Sequence, residues 1–141
     1  MGRRTTLAAA LAAWALTPLA LAGCGFDVQS PDLFLLTRTG QGPKLTLLVN
    51  DSGTIRCDGG HARPLADTLL ISARDLSQNL GSDAGHHLTI ARTARSVSYY
   101  RIRLAQGTVS FPDAAGATHP TLAQAELFAT QAAQQACHLS G

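Results

Sequence analysis

Between Leu7 and Ala22 the chain is one apolar run, mostly Ala and Leu, preceded by a short basic stretch, Gly2-Arg3-Arg4-Thr5-Thr6. No other feature constrains the fold as strongly, because this run withdraws its residues from any folded core. A helix that crosses a bilayer needs about 20 apolar residues, and this run stops short of that. Basic residues ahead of it and small residues behind it read as a secretory signal peptide. The Arg3-Arg4 pair also suits a twin-arginine signal, but Thr6 stands where that signal wants a bulky apolar residue, so the export route stays open.

Leu21-Ala22-Gly23-Cys24 closes the run without a gap. Residues 1–24 resemble the precursors of bacterial lipoproteins, whose lipobox has this form. The resemblance implies that the Cys24 sulfur receives diacylglycerol and that the chain is cut just before it. The product would be anchored by lipid to the extracytoplasmic face of the cell membrane, and palmitate is a fitting acyl group. Two or more acyl chains, at about 0.8 kcal/mol per buried methylene, give stable anchoring where one does not. The alternative is an ordinary secretory signal cut nearby, with Cys24 left free.

On the lipoprotein reading, residues 1–23 are the signal, 24–31 are the lipidated Cys and a short polar tether, and 32–141 form a single domain. Seven tether residues, Gly25 to Pro31, reach at most about 25 Å, so the domain sits close to the bilayer. Loss of Arg3 and Arg4 leaves nine basic residues (11 − 2 = 9) against nine acidic ones. The mature chain is formally neutral, and general nucleic-acid binding is not expected. With Cys24 assigned to lipid, Cys57 and Cys137 remain as an even pair in an oxidising compartment. A Cys57–Cys137 disulfide is therefore expected. A Cys/His metal site is disfavoured, because the ligands lack the close spacing such sites use, and no cofactor is expected.

The mature part reads as α+β. Leu33 to Thr37, Leu45 to Val49 and Thr54 to Cys57 have strand character, with turns at Gly40-Gln41-Gly42-Pro43 and Asn50-Asp51-Ser52-Gly53. Leu69, Ala73, Leu76 and Leu80 recur at helical spacing, with Asp67 as N-cap and Gly81 as stop. His87 to Ala91, Val97 to Leu104 and Thr108 to Phe111 read as three further strands, and Pro112 to Gly116 as irregular. Pro120 opens a last helix that runs to about Cys137, with Ala125, Phe128, Ala129, Ala132 and Ala136 on one face. The expectation is an antiparallel sheet of five to six strands with two helices on one face. The two halves also echo each other: Gly53-Thr54-Ile55 recurs as Gly107-Thr108-Val109, and Pro64 and Pro120 each precede a helix. That suggests a tandem βββα repeat, unless hairpins and helix starts merely reuse the same residues.

Catalytic motifs are absent: there is no nucleophile elbow, no His-Glu-x-x-His and no glycine-rich phosphate loop. His61 and His119 precede the two helices, which would bring them together near the helix N-termini if the halves repeat, but solvated loop histidines explain them as well. The best surface signal is basic and aromatic. In a strand, Tyr99, Arg101 and Arg103 share one face, while Tyr100, Ile102 and Leu104 share the other. Arg92 and Arg95 stand just upstream. If the second face packs on the helices, the first presents a cationic stripe suited to phosphate and carboxylate. The competing reading is a solvated face whose arginines pair with nearby Asp residues.

Residues 32–139 resemble small lipoproteins of actinobacteria, on Asp32 to Gly40, Leu45 to Cys57 and Glu126-Leu127-Phe128. Ten arginines against one lysine, with abundant Ala, suit the GC-rich genome of such a host. The resemblance implies an envelope protein and no reaction. The function expected is a non-enzymatic binding or accessory module whose partner is an anionic lipid, a wall polymer or an envelope protein. A protease-inhibitor-like protein and, behind it, a small hydrolase are the alternatives. Two cysteines are few for stapling a rigid inhibitory loop.

Overall fold

Alternation along each strand decides which face of the sheet is dry. The computed structural model describes residues 28–139; the apolar run and Cys24 lie outside the described residues. Strands β1 (Asp32–Gly40), β2 (Leu45–Asn50), β3 (Thr54–Cys57), β4 (Ala62–Pro64), β5 (Ser98–Leu104) and β6 (Gly107–Pro112) form one sheet in the order β4-β3-β2-β1-β5-β6. Every neighbouring pair is antiparallel. Phe34 lies opposite Val49, and Val49 opposite Ile55; Leu36 lies opposite both Leu47 and Ile102, and Ile102 opposite Val109. All seven side chains are fully buried.

Two helices complete that core. Helix α1 (Asp67–Gly85) buries Leu69, Ala73, Leu76, Leu80 and Ala84, and α2 (Pro120–Gln135) buries Leu122, Ala125, Phe128, Ala129, Ala132 and Ala133. These residues join the inner-face strand residues in one cluster, so both helices cover the same side of the sheet. The expected α+β architecture is thus the observed one. Phe34 and Phe128 meet edge to face, with ring centroids 5.5 Å apart.

Four local expectations are corrected. Asp67 is not the N-cap; Ala66 holds that position in extended conformation without a side-chain cap, and Asp67 begins the helix, where its carboxylate complements the dipole. Gly81 does not stop α1. A glycine inside a helix costs about 1 kcal/mol, and one further turn places Ala84 in the core. The helix ends where His87 takes a φ of 52°. Gly107, at a φ of 152°, lets the β5–β6 turn come up against the Ala84 carbonyl, with no room there for a Cβ.

Residues His87 to Ala91 do not form a strand. Only Thr89 bridges Ser110, in parallel sense, with hydrogen bonds from Ser110 N–H to Leu88 O and from Ile90 N–H to Ser110 O. This segment covers part of the outer edge of β6, as exposed sheet edges require. Of Pro112 to Gly116, read as irregular, Pro112 ends β6 and the rest lies in a turn of 3-10 helix, Asp113–Ala117. Four strands precede α1 and two precede α2, so the structure does not show the tandem repeat.

The disulfide is present. Cys57, the last residue of β3, is bonded to Cys137, just beyond α2, with Cα atoms 5.9 Å apart. Among the described residues no helix is long and apolar enough to cross a membrane.

Candidate functional site

With both helices on one side, the other face of the sheet is open, and β5 places its charges there. Tyr100, Ile102 and Leu104 are buried, whereas Arg101 is exposed and Tyr99 and Arg103 are half-buried. The register sets the neighbours of each. Tyr99 lies beside Thr39, Arg101 between Thr37 and Ser110, and Arg103 between Leu35 and Thr108. The alternation read from the sequence is therefore the alternation of the fold.

Arg92 reaches the same face from the loop ahead of β5. Its guanidinium lies 4.5 Å from the centroid of the Tyr99 ring and donates to Thr39 Oγ1 at 3.0 Å. The Tyr99 hydroxyl in turn donates to Ile90 O at 3.3 Å. Stacking and hydrogen bonding together orient the Arg92 fork. Arg95 sits in a turn closed by Thr93 and Ser96 and does not line the depression formed by the others. That depression has a volume of about 510 Å³ and is bounded by Leu35, Thr37, Thr39, Lys44, Arg92, Tyr99, Arg101 and Arg103. Lys44 is a member that the sequence reading missed. The turn between β1 and β2 brings it in, and nothing local to Pro43-Lys44 announces this.

The electrostatics are lopsided. Among the described residues neither Arg92 nor Arg101 pairs with a carboxylate, while Arg74 bonds Asp51 at 2.7 Å on the helix side. Three Asp residues against one Arg lie in α1, so acid gathers on the helix layer, while Arg92, Arg101 and Arg103 lie on the sheet face. Four cationic side chains around a depression can hold phosphate or carboxylate groups, with the arginines binding bidentately.

His61 and His119 are exposed, and the residues described contain no cluster of three His, Cys, Asp or Glu side chains able to hold a metal ion. His86 is engaged through Nδ1 with Ser82 O at 2.8 Å.

One acid is unusual. Glu126, the only glutamate, leaves α2 so that its Oε1 is buried without a hydrogen-bond partner. Gly116 lies so close that a Cβ there would come within 2.9 Å of this oxygen. Burial, reinforced by the charge of Asp113, pushes the Glu126 carboxyl up from 4.5 to about 7. Burial first, and then Glu126, also raise the Tyr100 hydroxyl. Asp113 is occupied otherwise, accepting from the N–H groups of Val97, Ser98 and Ala114.

The sign for stability follows. A carboxyl whose folded value is raised favours the protonated fold, so stability falls as pH rises from about 4.5 to about 7 and is level above that. Glu126→Gln removes this slope. After discounting for solvent screening, the variant should be more stable than the parent by about 1 kcal/mol at pH 8, and no less stable at pH 4. Urea unfolding at the two pH values checks this; a parent curve flat from pH 4 to 8 would contradict it.

Comparison with family models, with curated proteins and with solved structures returns no match for this chain.

Proposed function

We propose that the mature chain is a lipid-anchored, extracytoplasmic binding module without catalytic activity, and that the open sheet face holds an anionic partner of the cell envelope. The reading rests above all on Arg92, whose guanidinium is stacked on Tyr99 and hydrogen-bonded to Thr39 beside the exposed Arg101. A fork ordered in advance loses less entropy on binding. Anionic lipid head groups, wall polymer and an acidic envelope protein all present the phosphate or carboxylate that such forks grip. A tether of at most about 25 Å keeps the face within reach of all three.

Two variants test the two halves of the reading. Cys24→Ser should abolish both labelling by a palmitate analogue and the cut before residue 24, leaving a longer, unlabelled chain. Labelling that persists in this variant would refute the anchor. Arg101→Ala with Arg103→Ala should weaken capture by anionic vesicles, wall polymer or membrane extract. Each arginine contributes about 1 kcal/mol at an anionic surface, so a roughly thirtyfold loss is expected, with a similar trend in high salt. Unchanged capture by all three would remove the stripe as the binding face.

A further inference from the structure

Arg38 breaks the pattern of its own strand. Phe34 and Leu36 mark the core side of β1, and two residues further on the same side carries Arg38. Its register neighbours are Leu45 on β2 and Tyr100 on β5, both buried. A cation on the core side of a sheet loses solvation and needs an acceptor in return. Its charge acts on the Tyr100 hydroxyl, but among the described residues the Arg38 guanidinium makes no hydrogen bond and no ion pair. Departures of this kind from local rules are where function is to be sought.

Arg38 lines a pocket of about 540 Å³ at the Gly40 end of the sheet, between the β1–β2 turn and the end of α2. This volume is within the roughly 300–1,000 Å³ of small-molecule sites. Pro43, Leu45, Ala133 and Leu139 supply apolar wall, and Leu139 remains 42% exposed despite its size. Lys44 and His138 add donors at the rim. Asp58 also borders the pocket, but its Oδ1 accepts the Thr46 N–H at 2.7 Å.

We propose that this pocket binds an amphipathic anion, an alkyl carboxylate or alkyl phosphate, with Arg38 gripping the head group and the apolar wall covering the chain. A guanidinium fork meets two anionic oxygens at once, and burying the alkyl chain beside Leu139 removes apolar surface from water on both partners. The site is distinct from the open-face stripe and does not depend on it. Lys44 is the residue common to both.

Calorimetric titration of the full chain in neutral nanodiscs tests this, with empty discs subtracted. The probes are octanoate, octyl phosphate, octyl glucoside and inorganic phosphate. One or both of the alkyl anions should bind saturably, and the tighter of the two identifies the head group. Octyl glucoside and inorganic phosphate, each lacking one half of the chemistry, should bind at least about tenfold more weakly. Arg38→Met should lose about tenfold or more in affinity for the alkyl anion while unfolding at no lower temperature than the parent. Arg38→Lys, which keeps the charge without the fork, should fall between them. The Arg101→Ala, Arg103→Ala variant should bind the probes like the parent, separating this site from the sheet face. Undiminished binding by Arg38→Met, or octyl glucoside binding as tightly as the alkyl anions, would overturn the proposal.

Discussion

Replacing Cys57 and Cys137 together by alanine should cost the domain about 4 kcal/mol. The bond joins residues 80 apart in sequence, and closing so long a loop removes much of the conformational freedom of the unfolded chain. The loss is a large fraction of the roughly 5–15 kcal/mol that keeps a domain folded. It should lower the melting temperature by roughly 15–30 °C, given about 4–8 °C per kcal/mol for a domain near this size. The bond also ties the end of α2 to β3, and in the sheet only the short edge strand β4 lies beyond β3. Thermal unfolding of the double variant, beside the parent with and without reductant, measures the effect. A shift under about 3 °C in both comparisons would show that packing alone holds the two ends.

Phe34→Ala should have an effect of similar size by another route. Phe34 is fully buried in β1, which is paired on both sides, and its ring meets that of Phe128 at 79°. Truncation of a buried phenylalanine costs about 3–5 kcal/mol through lost transfer energy and the cavity left behind. The edge-to-face geometry contributes about 0.5–1.5 kcal/mol of this beyond area burial. A double-mutant cycle with Phe128→Ala should therefore give a positive coupling energy in that range. Thr37→Ala, three residues away on the open face, should change stability by no more than about 0.5 kcal/mol. If the two single variants were equally mild in urea, the sheet would not be one-sided.

The long elements were legible because each carries a clean period. Leu69, Ala73, Leu76 and Leu80 lie on one stripe, and β1, β2 and β5 alternate in a way that fixes their dry face. What escaped was set by tertiary partners. Strand β4 is three exposed residues ending in Pro64, with no period to read, and exists because β3 offers an edge. Leu88 and Ile90 alternate like a strand, yet the segment makes only one bridge. Gly81 looks like a stop until Ala84 is seen to be buried. At the site, Tyr99, Arg101 and Arg103 could be placed from β5 alone. Lys44 could not, because it arrives from a turn. The position of Arg38 on the core side was implicit in the alternation of β1, but its significance required the pocket. The burial of Glu126 depends on Gly116 approaching from another segment, which no local pattern records.

Strand β1 also determines how the domain takes mechanical load. On the proposed lipid anchoring, the residues ahead of Asp32 are the tether, so tension from the N-terminal side would enter the fold along β1. That strand lies between β2 and β5 and is antiparallel to both. Pulling along it shears two hydrogen-bond ladders at once, where an edge strand at this position would unzip one bond at a time. The covalent ring from Cys57 to Cys137 begins only after β2, so it cannot relieve that tension. A fold held by its first strand in this way resists being drawn out from its N-terminal end, as the proposed anchor and partner, pulling in opposite directions, would require.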